Sequence, residues 1–71
     1  MDKETKITVL ENNRKDLSEI GRTLIKAMDY VLIRDNRDEE DFELLTNLVR
    51  SAGKVIELDS KFRRELRELE L

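Results

Sequence analysis

The chain contains no cysteine, histidine, proline or tryptophan, and only two of its 71 residues are glycine. Lack of cysteine and histidine excludes disulfide stapling, thiolate nucleophiles, zinc sites built from thiol or imidazole ligands, and imidazole acid/base catalysis. It also fits a reducing compartment. The shortage of glycine, proline and aromatics (4% of residues) removes the punctuation of a β-fold, which needs turns and β-favouring side chains. No apolar run approaches the ~20 residues of a membrane span. The opening Met1-Asp2-Lys3-Glu4-Thr5 has none of the apolar core of a signal peptide. The expectation is a soluble, cytoplasmic protein with no cofactor, no bound metal and no membrane contact.

Charge is what the chain has in abundance, at 44% of residues and a formal net charge of −3. Such a composition belongs to long solvated helices when the apolar residues are periodic, and to disorder when they are not. Here they are periodic. Leu17, Ile20, Leu24, Ala27 and Val31 follow a 3-4-3-4 spacing, flanked by Gly21, Ile25, Met28 and Leu32. Together these cover an arc of about 160° on a helical wheel, wider than one partner helix can cover. A second run, Leu45, Leu48, Val49, Ala52, Val55 and Ile56, repeats the pattern. Beyond it Leu58, Phe62, Leu66 and Leu69 fall roughly 90° around the wheel, more than the ~20° drift per heptad of a straight helix, so the C-terminal half is expected to meet a different surface.

Between the two runs stands Arg34-Asp35-Asn36-Arg37-Asp38-Glu39-Glu40-Asp41. Its acidic density suggests a cation loop, but the glycine that an EF-hand requires after the fifth ligand position is replaced by Glu40. The alternative needs no metal. Asp38 suits a helix N-cap with Asp41 three residues on, and Glu39, Glu40 and Glu43 place negative charge on the positive end of the second helix. The predicted fold is therefore all-α: one domain, residues 1–71, folded as a long antiparallel hairpin with helices over about 5–34 and 38–70. The turn is placed at 35–38, and residues 1–4 are expected to be disordered. An extended start at Ile7-Thr8-Val9-Leu10, with the first helix beginning at about residue 14 near Asn13 and Asp16, is the competing reading.

A turn centred between Asn36 and Arg37 puts residue i beside residue 73 − i. Gly21 then lies level with Ala52, and Ile20 with Gly53. Since each glycine costs about 1 kcal/mol against alanine in a helix interior, this level is read as a close approach of the two backbones. Asn13 and Arg14 fall beside Asp59, a polar layer within an apolar seam of the kind that fixes register.

A lone hairpin cannot close a core, so self-association into a four-helix bundle or ring, with a dimer favoured, is the expected solution. Another protein as partner is the alternative. Leu17, Ile25, Met28, Leu32, Leu58, Phe62, Leu66 and Leu69 are the candidate interface. Serine, threonine and tyrosine hydroxyls have no histidine or distinctive base motif nearby, and the carboxylates of the last two turns alternate with Lys61, Arg64 and Arg67 as a salt-bridged surface does. No enzyme is indicated. Lys61, Arg63, Arg64 and Arg67 form the candidate nucleic-acid contact, weak in a monomer and additive in a ring.

The stretch from Phe42 to Glu68, with LLTNLVRSAGKVIELDSKFRREL at its centre, resembles the helical oligomerisation region of phage terminase small subunits. That resemblance rests on helical pattern and implies ring assembly and DNA delivery to a packaging motor. It assigns no individual residue a role. A small acidic regulator docking on a larger protein is the third reading, suggested by the negative turn.

Overall fold

The computed structural model describes residues 2–34 and 36–71. The part of the expected N-terminal disorder that falls on Met1, and of the expected turn that falls on Asp35, lies outside them. Two helices account for nearly everything described: α1, Lys3–Leu32, and α2, Glu39–Glu70. They pack side by side as an antiparallel hairpin measuring 53 × 16 × 15 Å. Its radius of gyration, 16.3 Å, compares with about 11 Å for a compact domain of this length.

Helix α1 starts earlier than either sequence reading placed it. Asp2 is the N-cap, accepting a 2.7 Å hydrogen bond from the Thr5 amide, and residues 2–4 form the cap and first turn instead of a disordered lead. The alternation at Ile7-Thr8-Val9-Leu10 is not a strand. Leu10 is buried and Ile7 half-buried, while Val9 faces outward, as a helical period requires. The Thr5 amide, assisted by the Thr5 hydroxyl, holds the Asp2 carboxyl below its ordinary value near 3.8. A carboxylate lowered in the folded state stabilises above its unfolded pKa and loses that contribution as pH falls through the folded value. Protection factors in the first turn, taken relative to the intrinsic exchange rate at each pH, should therefore fall below about pH 3.8 while the middle of α1 stays protected; equal first-turn protection factors at pH 3 and pH 6 would contradict this cap.

The turn is held by its own side chains. Arg37 donates to the Leu32 carbonyl (3.0 Å), and the Ile33 amide closes the last turn of α1 on Asp29. At the start of α2 a reciprocal capping box joins Asp38 and Asp41: the Asp41 amide donates to Asp38 (2.9 Å) and the Asp38 amide to Asp41 (3.3 Å). Asp41 is buried, and Arg34 neutralises it at 2.7 Å while lying over the Tyr30 ring, 4.8 Å from its centroid. The carboxylates at 38 and 41 are thus engaged in capping and charge pairing.

Eight α1 positions turn toward α2: Ile7, Leu10, Arg14, Leu17, Gly21, Leu24, Met28 and Val31. The α2 side runs Asp41, Leu45, Leu48, Ala52, Val55, Asp59, Phe62, Leu66 and Leu69. Every step along both lines is 3 or 4, in strict alternation, the seam of a two-stranded coiled coil. Arg14 donates to Asp59 at 2.9 Å, so the two helices meet in the register 73 − i.

Two expectations need correction. Phe62, Leu66 and Leu69 do not move to a second surface; they continue the seam begun at Leu45. The apparent shift arises because Asp59 occupies a seam position and interrupts the apolar run, while a 3.5-residue repeat drifts on a 100° wheel. The close approach expected at the glycines is also only partial. A side chain at Gly21 would meet Val55 at an ordinary 3.8 Å, and nothing lies within 4 Å of the corresponding point on Gly53.

Candidate interaction face

Both helices carry a second apolar line beside the seam. On α1 the positions seven apart are Glu11, Ser18, Ile25 and Leu32; on α2 they are Phe42, Val49, Ile56 and Arg63. A shallow groove bordered by Arg14, Ser18, Ile25, Ile56, Asp59 and Arg63 spans the hairpin, showing that the two lines share one face. Its apolar members are well exposed, with Ile25 at 54%, Val49 at 60% and Ile56 at 64%. Leu32 and Phe42, also more than half exposed, extend this stripe to the turn.

This exposure is the largest unresolved feature of the fold. Among the described residues only Leu10, Val31 and Leu66 are buried apolar side chains. The accessible surface is 5858 Å², whereas a folded monomer of 8.4 kDa exposes about 4,600 Å². A large contiguous apolar patch on a protein surface marks an interaction site.

The opposite face is weaker. There Ile20, Leu44 and Leu58 are exposed, but Asn13 and Ser51 interrupt the lines, and Lys6 and Glu65 border the groove at the open end. The residues singled out from sequence as an interface therefore divide three ways. Leu17, Met28, Phe62, Leu66 and Leu69 lie in the seam of the hairpin, Ile25 and Leu32 on the richer face, and Leu58 on the poorer one. Phe42, Val49 and Ile56 complete the richer face. Their seven-residue spacing was the available signal, obscured because Val49 and Ile56 adjoin seam residues and read as part of the seam.

The polar layer is built by Arg14 and Arg63 around Asp59 rather than by Asn13, which is half-buried beside it. Arg14 bonds one carboxylate oxygen at 2.9 Å and Arg63 lies 3.3 Å from the other. With side chains 26–53% exposed, these pairs stabilise by no more than about 1 kcal/mol. Asp59 at a seam position is a cost for register, and Asp59→Leu should raise the stability of the fold by about 1 kcal/mol, with Arg14 remaining hydrated at the rim. A lower midpoint in urea for this variant would show that the layer stabilises as well as aligns.

Of the four candidate nucleic-acid residues, Arg63 is engaged with Asp59. Lys61, Arg63, Arg64 and Arg67 spread over about 160° of the helix circumference instead of forming one patch. The open end of the hairpin, residues 2–15 and 57–71, has eight basic and eight acidic side chains, so it is neutral rather than basic.

Among the described residues no group of three or more acidic side chains converges as a metal cage, and no buried side-chain nitrogen or oxygen lacks a partner. The chemistry on offer is apolar surface with a charged border. No protein-family model, curated protein or solved structure matches the chain.

Proposed function

We propose that this chain is a non-enzymatic helical self-association module, which completes its core by pairing hairpin with hairpin into a four-helix bundle and serves as an assembly or adaptor element. The observation that carries this reading is the line of five apolar residues at seven-residue spacing, Ile25 and Leu32 on α1 with Phe42, Val49 and Ile56 on α2, all more than half exposed on one face. Helices that bury two adjacent faces need apolar residues beside the seam as well as in it, the pattern of bundles rather than of two-stranded coils. Self-pairing supplies a matching surface without requiring a second gene product.

Coupling of folding to association gives the test. Raising chain concentration 100-fold favours a dimer over unfolded monomers by about 2.7 kcal/mol, which should lift the thermal midpoint by about 5–10 °C. A midpoint independent of concentration would contradict self-association.

A ring of hairpins is the second reading, favoured by the exposed Ile20, Leu44 and Leu58 on the opposite face. Two different sticky faces make heterologous contacts, which form a filament when the rotation between copies does not close and a ring when it does. In that form the assembly would be of the DNA-packaging type that the resemblance suggested, and an assembly mass several times that of a dimer would support it.

A further inference from the structure

We infer that the covering partner of the richer face is a second copy lying antiparallel to the first, α2 upon α2 and α1 upon α1, with the two-fold axis at Gly53. This inference rests on the self-association reading and specifies its geometry.

Charge sets the direction. Residues 34–43 hold six acidic and two basic side chains, a net −4, whereas the other 61 residues sum to +1. Placing both turns at the same end would bring two such clusters together. The antiparallel arrangement sets each acidic turn against the neutral, arginine-bearing open end of the other copy.

Sequence symmetry sets the axis. Flanking the apolar stripe on α2, at seven-residue spacing, are Glu39, Thr46, Gly53, Ser60 and Arg67. Read outward from Gly53 the line is complementary to itself: Thr46 opposes Ser60 of the partner copy, and Glu39 opposes Arg67. The stripe follows the same centre to within a residue, with Val49 meeting the partner's Ile56 and Phe42 meeting the partner's Arg63, where guanidinium and ring can stack. On α1 the corresponding centre lies between Ser18 and Ile25, which sets Ile25 on the partner's Ser18 and Glu11 level with the partner's Leu32.

Gly53 gains a reason at this place. It is exposed within a 32-residue helix, and the space around it is open in the hairpin. Its lack of a side chain serves nothing in the hairpin, but it permits two α2 backbones to approach closely at a two-fold axis. The overlap of about 25 residues at 1.5 Å each, across two helices each ~10 Å wide, covers roughly 700 Å² per copy, near the ~800 Å² of a standard stable interface.

The chain has no cysteine, so a single introduced thiol takes a spin label at one position. Asn36→Cys, labelled with a nitroxide at the turn, should give an interspin distance of about 40–50 Å between copies, from two helical arms of 14 residues (Glu39 to Gly53) at ~1.5 Å each plus the turn residues beyond them. Turns lying together would give a distance below about 20 Å. Gly53→Leu, whose side chain has free space in the hairpin, should retain helicity and weaken the dimer at least tenfold.

A short turn-to-turn distance in a particle of dimer mass would overturn the antiparallel arrangement and leave self-association standing. Unchanged or tighter dimerisation of Gly53→Leu would remove Gly53 from the axis. A monomer at every concentration would overturn both readings together.

Discussion

Replacing Ile25, Val49 and Ile56 together by serine yields a monomer at concentrations where the parent chain is paired. All three side chains are more than half exposed in the hairpin, so few of its own contacts are lost. Isoleucine, valine and serine also have similar helix propensities, which leaves the backbone preference almost unaltered. The loss falls on the surface between copies. Each substitution removes about 1 kcal/mol of apolar burial per copy, half of what a fully buried side chain contributes, and six such losses per dimer total about 6 kcal/mol. That raises the dissociation constant by a factor on the order of 10⁴. The matched variant Ile20→Ser with Leu44→Ser alters the opposite face and should leave a dimer intact. Sedimentation of the two variants side by side distinguishes the faces: loss of association in the second and not the first would reverse the assignment.

Leu66→Ala is expected to have the largest effect of any single substitution on folding itself. Leu66 is only 7% exposed and lies in the seam near the open end, beyond the polar layer at Asp59. Truncating such a leucine costs about 2–5 kcal/mol, because it loses transfer free energy and leaves a cavity that long helices can only partly close. A domain of this length has roughly 4–11 kcal/mol of stability to lose. The variant should unfold at markedly lower urea concentration, with residues 3–13 of α1 losing exchange protection first. Val49→Ala, on the exposed stripe of the same helix, should leave the hairpin seam intact and act through pairing. A Val49→Ala shift in the unfolding midpoint as large as that of Leu66→Ala, measured at the same chain concentration, would mean that the seam does not divide inside from outside as described.

The helical hairpin was legible because its information is local and periodic. Spacings of three and four name a helix, the Asp38/Asp41 pair names its start, and a turn so defined sets the register that brings Arg14 to Asp59. Residues 3–13 were harder to read. Ile7-Thr8-Val9-Leu10 satisfies a two-residue period as well as a helical one, and only the tertiary burial of Leu10 against α2, with the cap at Asp2, decides between them.

The division of apolar residues between seam and outer face was less legible still. Periodicity places Val49 beside Leu48 and Ile56 beside Val55 with no indication of which α1 will cover. One α1 helix covers the narrow line through Leu48 and Val55, so their neighbours are left exposed. Asp59 misled in the other direction, since a carboxylate in the seam made Phe62, Leu66 and Leu69 look like a separate stripe. Gly53 illustrates a limit of pairwise reasoning. Pairing alone points it at α1, its nearest expected neighbour, while the hairpin leaves open space there.

Light scattering coupled to size exclusion, run over a concentration series from micromolar to millimolar, tests the self-association of this hairpin most directly. The account predicts a particle of twice the 8.4 kDa chain mass at the upper end, dissociating on dilution with a parallel loss of helicity. A fully helical particle of 8.4 kDa at every concentration would contradict it, because the hairpin would then be stable with its apolar stripe in water.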